Sequence, residues 1–430
     1  MGYTTIQYSR KKKVSEIDRL SGLPDNVLIR ILSFLPTKLS VATAILGKRW
    51  RFLWAHVPNF DFDGETHSPE STMNFSDTIN RVMLLSKVQT INTFRLSCFD
   101  KCRECEIETW LAAAIARNVQ KFDLYIRCHD GFFAGLPRCV FTCKTLVDLR
   151  LHGCDLGFIC CGLIISLPSL RKLQFSSVQF GCSDEALPRL LSGCPVLEEL
   201  IIDGIVDRFL KCYIISSSSI KKLILDLKFD TTCVFDSSSS AYKVEINAPL
   251  LRYFQLQDCS GMSDCFSEHT LASLIEADIS FNNSKVAGEH HLYTLSVLEK
   301  IDLLCNVKYL KLSSGMVFNF RAFGDRSKSI MSFDSLIKLE LGAHWLFLTK
   351  FLESADNLQV LIVREVDACL KHWMEPKEVP KSLLSHLTII RIEGMGYTQQ
   401  EFDMFLRTVT ESEPGRPGPP QCLELPEHES

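Results

Sequence analysis

The sequence predicts an α+β chain: an N-terminal three-helix unit, then an irregular solenoid with parallel strands on its concave side and helices or loops on its convex side. Three observations lead there. Between Asp18 and Phe62, apolar residues recur at helical spacing in three short blocks. From Ile91 to Leu387, the pattern apolar-x-x-apolar-x-apolar recurs twelve times, about 27 residues apart. With 46% hydrophobic and 23% charged residues, the chain has an ordinary globular balance.

Residues 1–17 read as a disordered tail, and the run Arg10-Lys11-Lys12-Lys13 within it as solvated charge. In residues 18–62 the first helix opens at Pro24, with Asp25 complementing the positive helix end. Val27, Leu28, Ile31, Leu32 and Leu35 form its apolar stripe, and Pro36 stops it. Thr37 caps a second helix carrying Val41, Ala44 and Ile45. Gly47 opens a third, with Trp50, Leu53 and Trp54 at i, i+3 and i+4, and Pro58 ends it. Helices this short are not stable alone. The unit also carries more apolar faces than it can bury in itself, so the surplus packs on the rest of the chain or on a partner.

The stretch Leu20, Leu23-Pro24-Asp25, Ile31-Leu32-Ser33-Phe34-Leu35-Pro36, Val41-Ala42-Thr43, Lys48-Arg49-Trp50 and Leu53-Trp54 resembles an F-box of the form common in plants. It departs from that form in Gly47, where Ser is usual, and in Leu39, where an acidic residue is common. The resemblance implies docking to the Skp-type adaptor of a cullin–RING ubiquitin ligase. It assigns adaptor contact to Leu20, Leu23, Pro24, Ile31, Leu32, Leu35, Pro36, Val41, Ile45 and Trp50, some of which must instead hold the helices together.

Residues 63–85 read as a polar linker and then a connecting helix from Phe75, with Phe75, Ile79, Val82 and Leu85 on one side. Residues 86–366 carry the repeats. Their first apolar positions are Ile91, Val119, Leu146, Leu170, Leu197, Ile220, Leu251, Leu274, Val307, Leu336 and Leu358, and Leu387 continues the series. The unit Leu146, Leu149, Leu151, Cys154 fits the leucine-rich-repeat consensus to its final Cys, and Leu251, Phe254, Leu256, Cys259 fits it too; in the unit from Leu274 the last place falls to Asn282. No such unit can bury its apolar face alone, so the units stack into one core. Between strands the clearest helix runs from Ser183, as cap, to Gly193, as left-handed terminator, with Pro195 beyond.

The wording of Ser183 to Leu200 and Ile165 to Phe175 resembles plant F-box proteins with leucine-rich repeats. Glu375-Pro376, Val379-Pro380, Leu383-Leu384-Ser385-His386-Leu387 and Ile392-Glu393-Gly394 resemble the FBD module that ends many of them. That module spans residues 367–411 here and reads as incomplete: the helix at Glu401 to Val409 runs into a Pro-, Gly- and Glu-rich tail, 412–430, expected to be disordered and to lack the family's last strand.

Net charge is −4, which gives no electrostatic case for nucleic acid. No apolar run reaches the ~18 residues of a membrane span. Eighteen scattered Cys without a secretory signal read as free thiols of a reducing compartment, nucleus or cytoplasm. Cys98, Cys102, Cys105 and Cys128-His129 lack paired zinc-knuckle spacing, and His290-His291 reads as solvated, so no metal site, cofactor or catalytic residue is assigned. The resemblance instead implies a non-catalytic receptor for a protein substrate. In such a solenoid the residue between the last two apolar positions points out of the concave sheet. Arg150, Gln174, Ile201, Ile224 and Gln255 of that row are the substrate-facing candidates, with an apolar centre at Ile201 and Ile224. The alternatives are an adaptor-bound repeat scaffold and a small-molecule sensor.

Overall fold

The computed structural model describes residues 20, 22–65, 74–99, 102–127, 134–160, 162–180, 184–204, 212–227, 243–258, 270, 272–281, 301–314, 332–342, 351–364, 386–393 and 422–424. The expected tail 1–17, Cys128-His129, Ser183, Cys259, Asn282, His290-His291, the FBD residues Glu375 to Ser385 with Gly394, and the helix Glu401 to Val409 lie outside these. So does most of the linker, residues 66–73.

The repeat pattern becomes a 14-stranded, all-parallel sheet among the described residues. Its middle strands run in order of sequence through Asp148–His152, Lys172–Ser176, Glu199–Asp203, Lys222–Leu227 and Tyr253–Asp258. Each repeat's second and third apolar residues align across strands: Leu149, Leu173, Leu200, Leu223 and Phe254 form one ladder, and Leu151, Phe175, Ile202, Leu225 and Leu256 another. Eleven of the twelve first positions, Ile91 through Leu358, are buried, and Leu387 packs against the same core. One hydrophobic cluster extends from Phe60 to Ile390. This is what stacking requires, because no unit has a partner for its apolar face except the next unit.

Three of the turns out of strands pass through positive φ, at Gly153, Ser177 and Gly204. In the unit from Leu146, Gly153 has φ +66°, and a Cβ there would stand 2.8 Å from the Ile126 carbonyl oxygen. Cys154, the consensus position, is buried and its Sγ–H donates to the His152 carbonyl at 3.4 Å.

Several local expectations are corrected. Thr37 does not cap the second helix; Pro36 is the cap, and the Thr37 hydroxyl accepts from the Asp61 N–H at 2.8 Å. Gly47 is extended, and the third helical segment, Trp50–His56, is a 3₁₀ helix capped by Arg49. The Ala186–Ser192 helix starts later than expected, with Glu185 as its cap. Pro188 has no N–H to give the Asp184 carbonyl, so the helix cannot be extended backwards. Gly193 is not left-handed, with φ −80°. It is required by proximity: a Cβ there would collide with the Ile165 side chain. In the Phe75–Leu85 helix, Phe75, Ile79 and Val82 are buried as expected, but Leu85 is exposed and Met83 takes its place. Cys98 and Cys102 are joined in a disulfide rather than free, with their Cα atoms 6.4 Å apart at the end of strand Thr93–Phe99 and just before helix Glu104–Ala116.

The sheet also runs further than the twelve repeats. Asn59–Asp63 adds a strand before the first, and Cys422–Glu424 adds one after the last. The second falls in the stretch 412–430, expected to be disordered; the short run Cys-Leu-Glu pairs in parallel with Ile389–Glu393. A solenoid end left open exposes unpaired backbone groups, and this strand covers them.

Candidate functional site

Two surfaces carry the candidate residues. The first is built by the N-terminal helices. Helix Asp25–Leu32 has two apolar stripes, not one. Leu28 and Leu32 turn inward and pack with Trp50, Leu53 and Val57, with Leu23, Ile29 and Leu35 against them. Val27 and Ile31 turn outward, and Phe34 continues that side. Leu20, Leu39, Leu46, Phe52 and Ile45 are exposed as well, and with Val27, Ile31 and Phe34 they make up the apolar part of the unit's outer surface, Phe34 being 76% and Ile45 88% exposed. Eight large apolar residues exposed on so small a unit mark an interaction surface rather than scattered surface apolars.

The predicted contacts therefore separate. Leu20, Ile31 and Ile45 lie on the outer face, and Pro24 and Pro36 are exposed beside it. Leu32 and Trp50, 1% and 4% exposed, hold the helices together. Leu23 and Leu35 are half-buried against that small core, and Val41 packs on the large one. Sequence reading missed Val27, Phe34, Leu39, Leu46 and Phe52. The signal was the second helical stripe at Val27, Ile31 and Phe34, which was merged with the first.

Arg49 clamps the unit. Its guanidinium donates to Asp25 Oδ1 at 2.8 Å and to the Leu23 carbonyl at 2.5 Å, tying the start of the first helix to the approach of the third. The same unit exposes the cations Arg30, Lys38, Lys48 and Arg51. The Arg51 and Lys87 cations sit 5.5 and 5.7 Å from the Phe52 ring centroid.

The unit is not on a flexible tether. Its last segment runs directly into strand Asn59–Asp63. Asn59 Nδ2 donates to the Ser33 carbonyl at 3.0 Å, and the Lys87 N–H to the Ala55 carbonyl at 2.8 Å. Phe60 and Phe62 stack on each other and meet Phe94 edge-on, which meets Phe122 in the next strand. Such aromatic pairs contribute ~0.5–1.5 kcal/mol beyond their burial.

The second surface is the open face of the sheet. Register places Arg150, Gln174, Ile201, Ile224 and Gln255 side by side, one per strand. To one side of these, Arg95 lies between Asp61 and Asp123 at 3.7 and 3.9 Å, and His152 Nε2 is 3.4 Å from Asp123. Burial pushes the Asp61 carboxyl above its ordinary value despite Arg95. Burial also acts to raise Asp123, but the His152, Arg95 and Arg150 side chains outweigh it and hold that carboxyl low. To the other side, Lys311 lies 2.9 Å from Asp278 and 4.0 Å from Glu340. Further along the same register, Ile362, which pairs with Glu340 and Arg391, is only 5% exposed, whereas Ile201 and Ile224 are half-buried.

Among the described residues no group of three His, Cys, Asp or Glu stands together as metal ligands. No helix among them is long and apolar enough to cross a membrane.

Comparison with known proteins matches this architecture. The family model for the LRR repeats of FBD-associated F-box protein At5g56370 matches residues 107–277. F-box/FBD/LRR-repeat protein At4g00160 of Arabidopsis thaliana is 31% identical over 388 residues, covering 86% of this chain and 78% of the relative. The chain belongs to the plant F-box/FBD/LRR-repeat family. F-box/FBD/LRR-repeat protein At2g04230 of the same plant is 30% identical, covering 90% and 84%. FBD-associated F-box protein At4g10400 is 30% identical, covering 86% and 84%. In this F-box/FBD/LRR-repeat chain the F-box is the three-helix unit with its outer apolar face, and the repeats form the sheet.

Proposed function

We propose that the chain is the substrate-recognition subunit of an SCF-type ubiquitin ligase in the nucleus or cytoplasm. Its F-box docks on a Skp-type adaptor, and through it on a cullin, while the repeats hold a protein substrate. The observation that carries this reading is the exposed apolar face of a helical unit that is itself anchored in the sheet. Burying that face needs a partner, and the exposed cations of the unit favour an acidic one.

The role is positional and non-catalytic. Ubiquitin transfer is carried out by other subunits; this chain supplies proximity, converting an encounter in solution into an effectively intramolecular one. The continuity of F-box and sheet serves that role. A substrate on the open face keeps a fixed position relative to the adaptor, because the connection is strand pairing and packed aromatics.

The test is co-purification of the full-length chain with recombinant Skp-type adaptor and cullin. Wild type is expected to retain both, and Ile31→Ala with Ile45→Ala to lose both while keeping its melting temperature. Adaptor without cullin in the wild-type complex would favour a scaffold outside ubiquitin transfer. Folded wild-type chain that retains neither would overturn the receptor reading.

A further inference from the structure

Among the described residues, Cys98 and Cys102 form a disulfide, while seven other cysteines are free thiols. A disulfide framework that holds a fold together closes long loops, since the freedom it removes from the unfolded chain grows with loop length. This bond joins residues only four apart in sequence, so it constrains the unfolded chain little. The core beside it is already packed, with Phe94, Leu96, Ile107, Trp110 and Leu111 all buried.

What the bond does is fasten one helix to one strand. Cys98 lies in strand Thr93–Phe99, 2% exposed and in register with Ile126 of the next strand. Cys102 is half-buried and stands directly before Arg103, the N-cap of helix Glu104–Ala116. The start of that helix is a junction. Glu106 Oε2 accepts from the Arg103 N–H and from the Ser76 hydroxyl, both at 3.0 Å, which ties it to helix Phe75–Leu85. Further along, Trp110 Nε1 donates to Asn80 Oδ1 at 2.7 Å, and Trp110, Leu111 and Ala114 are buried. The body of the helix is therefore held by packing, and its start by polar contacts and the disulfide. The two sulfurs also differ in access: the half-buried Cys102 meets solvent, and Cys98 does not. Cys105, three residues beyond Cys102, is an exposed free thiol.

We infer that Cys98–Cys102 is a reversible redox site, opened and closed by low-molecular-weight thiols and disulfides of the glutathione class, and that the bond decides whether the start of helix Glu104–Ala116 is fastened to the sheet. The inference goes beyond the receptor reading and rests on it only for the reducing compartment, where protein disulfides are usually transient or redox-sensing. In opening, a thiolate attacks the accessible Cys102 sulfur. A mixed disulfide forms there, the Cys98–Cys102 bond breaks, and Cys98 leaves as a thiolate that takes a proton from water. A second thiolate attacks the small-molecule sulfur of the mixed disulfide, releasing the Cys102 thiolate, which is protonated in turn, and carrying away the small-molecule disulfide. Two protein thiols form and two small thiols are oxidised. Closing is the same sequence reversed, and in neither direction must a small molecule reach the buried Cys98.

The test uses the full-length chain co-expressed with the Skp-type adaptor and held without oxygen in glutathione buffers of set ratio. Thiols are trapped by alkylation, and the linkage is mapped by mass spectrometry of unreduced digests. In excess glutathione disulfide the Cys98–Cys102 linkage is expected in most chains. At about 5 mM glutathione, about 100:1 reduced to oxidised, a structural disulfide stays closed, whereas at least about four-fifths of this one should open. Opening should speed hydrogen exchange of residues 102–106 by about tenfold or more and leave residues 110–116 unchanged. Cys102→Ser, which cannot form the bond, should exchange like the opened chain in both buffers. A linkage that stays closed in the reducing buffer, one that never forms in the oxidising buffer, a Cys102–Cys105 linkage in its place, or exchange that ignores the bond would each overturn the inference. Adaptor retention is read in the same samples. Wild type that loses the adaptor in both buffers overturns the receptor reading and leaves the redox result standing.

Discussion

Ile45 offers the sharpest separation of docking from folding. It is 88% exposed and makes almost no contact within the chain. Ile45→Ala removes three carbons, each worth ~0.8 kcal/mol when buried. With nearly all of that surface open before docking, the adaptor complex should lose about 2 kcal/mol, or roughly 30-fold in Kd. The free chain should change by less than about 0.5 kcal/mol, as for an ordinary surface substitution. Leu32→Ala is the counter-experiment: at 1% exposure its truncation should cost about 2–5 kcal/mol of F-box stability. The assay is biolayer interferometry of adaptor on immobilised full-length chain, beside thermal melting of each variant. Ile45→Ala and Phe34→Ala that both bind within threefold of wild type, with unchanged melting, would refute the assignment of the outer face to docking.

Four further outcomes are expected. Adaptor association should slow as salt rises from about 50 to about 300 mM, because the exposed cations steer the encounter over a Debye length that shrinks from about 14 to about 6 Å; a salt-independent rate would contradict this. Gly193→Ala should destabilise the repeats by about 1–3 kcal/mol through overpacking on Ile165, read as a lower urea midpoint. Asp123 is held below the ordinary carboxyl value, so its contribution is present above about pH 3.9 and is lost as pH falls through its lowered folded value. Asp123→Asn should therefore cost up to about 1 kcal/mol at pH 7 and flatten the acid side of the stability profile. Deleting residues 422–430 should uncover the edge of Ile389–Glu393 and raise light scattering on concentration.

Much of this was legible in the sequence, and the reason is periodic. The positions from Ile91 to Leu387 announce the repeats because each strand must place two leucine-like residues inward at fixed spacing. The outward row followed from the same spacing, so Arg150 to Gln255 could be aligned before any pairing was known. The three-helix unit was legible from helical spacing bounded by Pro24, Pro36 and Pro58, and its reading as an F-box came from the resemblance of its residues to that family.

Tertiary structure decided the rest. Periodicity says that Leu32 and Ile31 are both apolar and helical; which one faces inward depends on where Trp50 and Val57 lie, far along the chain. Gly193 ends its helix as expected but without the left-handed turn; what requires glycine there is the close approach of Ile165, a collision no local rule contains. Cys422–Glu424 has no period to display in three residues; it becomes a strand because Ile389–Glu393 offers it an unfilled edge. The sequence alone determined the repeat, the helical unit and the residue types on each face. Only the fold determined which apolar groups were left for a partner, since burial is settled by the neighbours that non-local packing supplies.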